Sequence, residues 1–247
     1  MSESAHHDAD AGDVGPDGPD GAAPLPALKN LRDVGGLRSG AAGRTRRGVL
    51  YRSASPYDVE PFAARVLRDL GVGTVIDLRD HEEVEQWPYT VDGTGIALRN
   101  LPACLGCDYV EGQAAFYRMM IRDAGRNLAG AVRAITAASA RPVLVHCAAG
   151  KDRTGLVVGL ALSAVGVSDE DVIEDFVLSN AAFNLVHAER GAEPPPVGDR
   201  HPIGRYLMVD SLAQARAIGG DIPGYLVRHG MTEDELTRLG ELLVEPI

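Results

Sequence analysis

The feature that most constrains the fold is a buried strand followed, after a short loop, by a helix without a polar face. Residues 142–146 read PVLVH, and such a β-branched apolar run predicts a strand. Residues 153–165 carry helical spacing and are apolar on all sides. A helix of this kind is buried within a domain.

Strands and helices are predicted to alternate along the chain. Strands are predicted over residues 48–51, 74–78, 142–146 and, with a weaker pattern, 96–98. Helices are predicted over residues 61–70, 116–140, 153–165 and 207–218, with further helices opening at Ser168 and at the capping box of Thr232. This alternation predicts an α/β domain with a central, mainly parallel sheet flanked by helices.

The charge of the chain is unevenly distributed. The formal net charge of the 247 residues is −11, and residues 1–24 hold six acidic residues and neither Lys nor Arg. We expect residues 1–24 to form a disordered acidic tail and residues 25–247 to form one domain. The remaining charge is too close to neutral for general nucleic-acid binding, and aromatic residues make up only 5%.

The cysteines and the apolar stretches favour a cytoplasmic protein. Three cysteines cannot form a disulfide framework, and a low cysteine count suits a reducing compartment. Cys104 and Cys107 are interpreted as incidental loop cysteines, because a zinc site needs two more ligands; a redox role that protects Cys147 stays open. No apolar run is long enough to cross a bilayer, so no stable membrane association is expected. Nothing in the sequence predicts the oligomeric state.

Residues 146–155, which read HCAAGKDRTG, connect the predicted strand to the apolar helix. The first turn of a helix presents unpaired N–H groups and partial positive charge, so a loop that enters it can bind an anion. Small residues allow the loop amides to curl around a tetrahedral oxyanion. These amides belong to Ala148, Ala149 and Gly150. His146 is expected to support the loop by hydrogen bonding.

Each polar side chain of this loop has a chemical use. Cys147 lies beside the helix start and Arg153, and is expected to be a thiolate that attacks phosphorus. Arg153 can grip two phosphate oxygens, and Thr154 can donate its hydroxyl to the thiolate. Asp152 can protonate the leaving oxygen or merely cap the helix. Lys151, one of two lysines in the chain, supplies a compact positive charge.

The loop resembles the HC-x5-R-[ST] signature of cysteine-dependent protein-tyrosine and dual-specificity phosphatases, in the Lys-Asp-Arg form of a bacterial branch. Further segments are similar to that branch and follow in the same order. They are residues 30–36 (NLRDVGG), 51–53 (YRS), 77–79 (DLR, followed by Glu82 and Glu83) and a terminal stretch over 225–243.

The resemblance implies a protein-tyrosine-phosphatase-like domain that hydrolyses phosphomonoesters without metal or cofactor, through a phosphocysteine on Cys147. Its partner would be a phosphorylated protein or a small phosphomonoester, with phosphotyrosine as the leading substrate. The resemblance also implies a C-terminal helical lid region, which would fall at residues 188–220.

The resemblance implies site residues outside the loop as well. The family's mobile acid loop is missing, since Trp87-Pro88 is followed by Tyr89. The branch gives the acid role to the loop aspartate, here Asp152, and Asp77 is the competing acid or a structural residue. Arg32 and Asp33 would line the edge of the pocket. The acidic run from Glu82 to Glu85 is interpreted as a solvated helix face.

Alternative functions remain open at this point. The same chemistry could act on a phosphoinositide or on a phosphorylated sugar or nucleoside, and Lys151 favours a highly charged substrate. A phosphate-binding adaptor without turnover belongs to another class, but the nucleophile and the arginine are both present. Rhodanese-type sulfur transfer also uses a cysteine loop, yet it does not explain residues 30–36 or the Thr154-Gly155 continuation.

Overall fold

The computed structural model describes residues 27–41, 43–105, 112–138, 142–182 and 202–247. Predictions for the tail (1–24), for Cys107 and for residues 188–201 of the predicted lid therefore lie outside the described residues. Within the described ranges, no helix combines the length and the apolar character needed to span a bilayer.

A five-stranded sheet forms the centre of the domain. Its strands are β1 (Arg32–Asp33), β4 (Leu50–Ser53), β5 (Thr74–Asp77), β6 (Ala97–Asn100) and β7 (Val143–His146). They lie in the order β1-β4-β7-β5-β6; β1 pairs antiparallel with β4, and the other neighbours are parallel. All residues of β5 and β7 are buried, as expected for parallel strands that are covered on both faces. The predicted α/β class is confirmed.

Helices cover the sheet and build the C-terminal part of the chain. They are α1 (Ala63–Asp69), α2 (His81–Gln86), α3 (Gln113–Asp123), α4 (Gly125–Thr136), α5 (Asp152–Ala164), α6 (Asp169–Val177), α7 (Arg205–Gly219), α8 (Ile222–Arg228) and α9 (Glu233–Leu243). The apolar helix α5 packs against β4, β7, α4, α6, α7 and α8. Its predicted burial is confirmed.

A small antiparallel sheet joins the two ends of the domain. Strand β3 (Gly43–Thr45) pairs with β2 (Arg38–Ser39) on one side and with β8 (Val244–Pro246) on the other. The sequence did not predict this sheet, because strands of two or three residues are too short to show a period of two.

Two predicted elements have different boundaries in the structure. The strand predicted over 48–51 begins at Leu50, because Gly48 lies in a turn with φ of +71°. The single helix predicted over 116–140 is two helices that meet at Ala124. At the start of the second, a Cβ on Gly125 would lie 2.5 Å from the His229 ring, so this helix start packs closely against the residue that follows α8.

The predicted lid over 188–220 is only partly described. From Arg205 onward it is helix α7, whose Leu207, Met208 and Leu212 belong to the main hydrophobic core. This part packs into the core, and its role as a lid stays a prediction. For residues 188–201 the lid stays a prediction.

The register of the parallel strands brings three strand ends together. Ser53 lies beside His146 across the β4–β7 pair, and Asp77 lies beside His146 across the β5–β7 pair. Ligands of open α/β sheets bind at the carboxyl ends of the strands. The segments that follow Ser53, Asp77 and His146 therefore form the candidate site.

Candidate active site

The loop predicted to bind phosphate connects the carboxyl end of β7 to the first residue of α5. It consists of Cys147, a free and buried cysteine, followed by Ala148, Ala149, Gly150 and Lys151. We call residues 147–151 the phosphate loop. Its placement at the N-terminus of a 13-residue helix gives it the partial positive charge that attracts anions.

Every carbonyl of the phosphate loop is bonded to a donor of the surrounding protein. The carbonyl of Cys147 accepts from His146 Nδ1 at 2.9 Å, and that of Ala148 from the Ser55 amide at 2.8 Å. Asn30 Nδ2 donates to the carbonyls of Ala149 (3.1 Å) and Gly150 (2.9 Å). Arg52 Nη2 also donates to the Gly150 carbonyl, at 3.0 Å, and to that of Lys151, at 3.4 Å.

Because the carbonyls point outward, the amides of the same peptides are free for an anion. In the described part of the chain, the N–H groups of Ala148, Ala149 and Gly150 have no acceptor. The loop also lies close to β4: Gly150 has φ of +67°, and a Cβ there would be 2.0 Å from the Ser53 carbonyl oxygen. Only glycine fits this position.

Arg153, the predicted phosphate-binding arginine, is held by a carboxylate. Both Nη atoms bind Glu83, one of them at 2.7 Å from Oε1. Burial raises the pKa of the Glu83 carboxyl, but the bonds to Arg153 outweigh burial and lower it below its usual range. Glu83 also closes the capping box of α2 with Asp80. The interpretation of Glu83 as part of a solvated helix face is wrong, because α2 turns it towards Arg153.

Asp152 is buried and bonded to a tyrosine. The Tyr117 hydroxyl donates to Asp152 Oδ1 at 2.8 Å, and Lys151 Nζ lies 3.8 Å from Oδ2. The backbone amides of the first turn do not bond to this carboxylate in the described chain. The alternative in which Asp152 merely caps the helix therefore finds no support in the geometry.

His146 is buried in its neutral form. Its Nδ1 donates to a carbonyl, so Nε2 carries the lone pair and accepts from the Tyr89 hydroxyl at 2.7 Å. Burial lowers the pKa of His146 and raises that of the Tyr89 hydroxyl. Tyr89, which follows Trp87-Pro88 where the family has an acid, thus supports the histidine.

Asp77, the alternative acid, is fully engaged with Arg79. Arg79 Nη2 donates to Oδ2 at 2.7 Å, and Nε and the backbone amide donate to Oδ1 at 3.0 Å. Burial raises the pKa of the Asp77 carboxyl, and the bonds from Arg79 lower it. These bonds favour a structural role for Asp77, and its role as the alternative acid stays a prediction.

Thr154 carries a buried hydroxyl without a partner. Its side chain is inaccessible to solvent, and Oγ1 makes no hydrogen bond within the described residues. Buried polar groups are normally bonded. This hydroxyl is therefore available to the sulfur or to a bound phosphate.

Arg32 and Asp33, which were predicted to line the edge of the pocket, bind other parts of the protein. Arg32 Nε and Nη2 donate to the side chain and the carbonyl of Asp175, each at 2.7 Å. Asp33 accepts from the amides of Gly35 and Gly48, each at 2.8 Å. The polar atoms of both side chains are occupied by the protein itself.

The residues that brace the phosphate loop were missed by sequence reasoning. Asp175 binds Arg32 and also Arg52 Nη1, at 2.5 Å, so an acidic residue of α6 supports the arginine that holds the loop carbonyls. Burial raises the pKa of the Asp175 carboxyl, but the two arginines outweigh burial and lower it. The available signals were Asn30 and Arg52, which lie in the segments that carry the family resemblance.

Cys104, the second cysteine of the described residues, forms no disulfide with the catalytic Cys147. Cys104 is disulfide-bonded, whereas Cys147 is free. The sequence did not predict this disulfide, and the interpretation of Cys104 as an incidental cysteine stays a prediction. Within the described ranges, no cluster of three or more His, Cys, Asp or Glu side chains could hold a metal ion.

Several known proteins are similar to this chain over about two thirds of its length or more. The sequence profile of the tyrosine phosphatase family matches residues 23–245. The triple specificity protein phosphatase PtpB of Mycobacterium tuberculosis is 32% identical over 200 residues, with 66% of this chain and 71% of PtpB covered. A provisionally named tyrosine-protein phosphatase of Cupriavidus necator is 32% identical over 187 residues, with 67% and 66% covered. The crystal structure of P. aeruginosa TpbA covers 82% of this chain and 92% of its own, at 21% identity and a TM-score of 0.43.

Proposed function

Since the chain belongs to the tyrosine phosphatase family, we propose that it hydrolyses phosphotyrosine through a phosphocysteine on Cys147. The observation that carries the proposal is the phosphate loop, in which every carbonyl is bonded outward and the amides beside Cys147 are left for an anion. Such a ring of preorganised donors stabilises the charge of a transferring phosphoryl group.

In the first step, Cys147 Sγ attacks phosphorus and the bond to the ester oxygen breaks. Asp152 gives its proton to that oxygen. In the second step, water attacks the phosphocysteine, the P–S bond breaks, and the proton of the water returns to Asp152. Arg153 binds two equatorial oxygens, and Thr154 donates its hydroxyl to the departing thiolate. No step requires a metal ion.

A phosphoinositide is the weaker substrate candidate. Lys151 favoured it in the sequence, because a second positive charge could bind a second phosphate. In the structure Lys151 is 1% exposed and lies beside Asp152. A buried ammonium that faces the acid supports the reacting group and is poorly placed to bind a phosphate at the pocket mouth.

Location in the cell stays a prediction. The low cysteine count favours the cytoplasm, whereas the disulfide-bonded Cys104 is typical of an oxidising compartment. Cell fractionation with thiol labelling separates the two.

The test is hydrolysis of p-nitrophenyl phosphate with EDTA and a thiol reductant present. We expect Cys147→Ser to abolish turnover. The matched control is Cys104→Ser, which makes the same change at another buried cysteine and should keep most of the activity. Turnover retained by Cys147→Ser would refute the proposal. A panel with phosphotyrosine peptide, phosphoserine peptide, phosphoinositide and sugar phosphate then ranks the substrates, and a preference for phosphoinositide would overturn the choice of phosphotyrosine.

A further inference from the structure

The two oxygens of the Asp152 carboxylate have different surroundings. Oδ1 accepts the hydrogen bond of the Tyr117 hydroxyl at 2.8 Å. Oδ2 lies 3.8 Å from Lys151 Nζ and accepts no hydrogen bond within the described part of the chain. One oxygen is therefore fixed by the protein, and the other is left for a proton.

Packing holds the tyrosine hydroxyl in place. Tyr117 lies on α3 and is 2% exposed. Its ring meets Phe176 of α6 edge-on, with 6.0 Å between ring centroids, and meets Phe116 in the same manner at 6.1 Å. A ring enclosed in this way cannot rotate away without disturbing the core, so its hydroxyl is a fixed donor.

We propose that Tyr117 is a positioning residue that orients the acid Asp152, an inference that rests on the proposed function. By holding Oδ1, the hydroxyl leaves the proton on Oδ2 and directs it towards the ester oxygen. When the P–O bond breaks, the proton moves from Oδ2 to the leaving group. The carboxylate that remains keeps its bond to Tyr117, and the neighbouring charge of Lys151 stabilises it. The proton returns to Oδ2 when water cleaves the phosphocysteine.

The test is Tyr117→Phe, assayed by kcat/KM on two substrates. An alkyl phosphate has a poor leaving group that needs the acid, whereas p-nitrophenyl phosphate scarcely needs one. We expect kcat/KM to fall about tenfold on the alkyl phosphate and less than about twofold on p-nitrophenyl phosphate. The ratio of the two values is independent of the folded fraction, so partial misfolding of the variant does not affect the result.

The matched control is Tyr225→Phe. Tyr225 is equally buried, and its hydroxyl donates to the carbonyl of Ile121 on the same helix α3, at 2.7 Å. Removing this hydroxyl should leave the ratio between the two substrates unchanged. A second test adds Tyr117→Phe to Asp152→Asn, where no further loss on the alkyl phosphate is expected, because residues that act through one another are not additive.

The outcomes separate this inference from the proposed function. If Asp152→Asn shows the selective loss but Tyr117→Phe behaves like Tyr225→Phe, the positioning role is refuted and the acid assignment stands. The same conclusion follows if the losses of Tyr117→Phe and Asp152→Asn add up in the double variant. If Asp152→Asn itself affects both substrates equally, the acid assignment fails and the inference fails with it.

Discussion

Asn30 is the residue whose substitution most directly tests how the phosphate loop is held. Its Nδ2 donates to the carbonyls of Ala149 and Gly150, and its Oδ1 accepts from Arg32 Nη1 at 2.6 Å. Its φ of +54° is a conformation that Asn and Asp tolerate and most other residues do not. Asn30→Asp therefore keeps the shape, the backbone and the contact to Arg32, but replaces the donor of the two bonds by a carboxylate oxygen.

The expected cost follows from those two bonds. Each neutral hydrogen bond contributes about 1 kcal/mol net to stability, so the substitution removes about 2 kcal/mol of stabilisation from the loop. It also places a carboxylate oxygen against two carbonyl oxygens. If the loop conformation that binds phosphate is destabilised by about 2 kcal/mol, the affinity for phosphate falls about 30-fold. We expect the inhibition constant of inorganic phosphate to rise about 10- to 30-fold, and the unfolding free energy to fall by about 2 kcal/mol or more.

The assay is competitive inhibition of p-nitrophenyl phosphate hydrolysis by phosphate, together with urea unfolding. Asn100→Asp is the matched control, because Asn100 Nδ2 also donates to two backbone carbonyls, those of Asp77 (3.2 Å) and Arg79 (2.8 Å). It should lose similar stability and keep its phosphate affinity to within about twofold. If Asn30→Asp is destabilised like the control but binds phosphate as tightly as the wild type, the outward bonding of the carbonyls does not shape the site.

The remaining predictions concern Arg153, its partner and His146. Arg153→Lys should lose most turnover although the charge is kept, because the planar fork is gone; near-normal kcat/KM would contradict a bidentate role. Glu83→Gln should lower kcat/KM about tenfold through a higher KM, because the guanidinium loses the ionic partner that orients it; a higher kcat/KM would instead mean that Glu83 competes with phosphate. Burial lowers the pKa of His146 below its ordinary value of 6.5, so the unfolded state binds the proton first as the pH falls. Stability should therefore decline below about pH 6.5, by at most about 1.4 kcal/mol per pH unit, and this decline should be weaker in His146→Asn by urea unfolding at pH 7.5 and 5.5.

The parts of the site that could be predicted from sequence are contiguous in the chain. The strand, the phosphate loop and helix α5 follow one another within residues 143–164. Their local pattern fixes the relative positions of Cys147, Asp152 and Arg153, because a strand, a tight loop and a helix start leave little freedom between them. The buried character of α5 was likewise readable from its composition.

The bracing interactions could not be predicted, because their partners are far apart in sequence. Arg32 and Asp175 are separated by 143 residues, and Arg153 and Glu83 by 70. Periodicity predicts which face of an element is buried, but not which of many arginines meets which acid. Glu83 illustrates the difficulty, since it belongs to an acidic run whose other members Glu82 and Glu85 are exposed.

The bonds that Arg32 makes follow from the way the phosphate loop is built. A loop that turns its amides towards an anion must turn its carbonyls towards the protein, and buried carbonyls require donors. The ends of β1 and β4 supply them through Asn30 and Arg52, and a buried arginine in turn requires an acid, which is Asp175. Polar residues beside such a site therefore look catalytic in the sequence although they serve the loop. Hydrogen bonding distinguishes residues that support the loop from residues that bind substrate. A side chain whose donors are all bonded to protein cannot bind substrate without leaving a buried group unpaired.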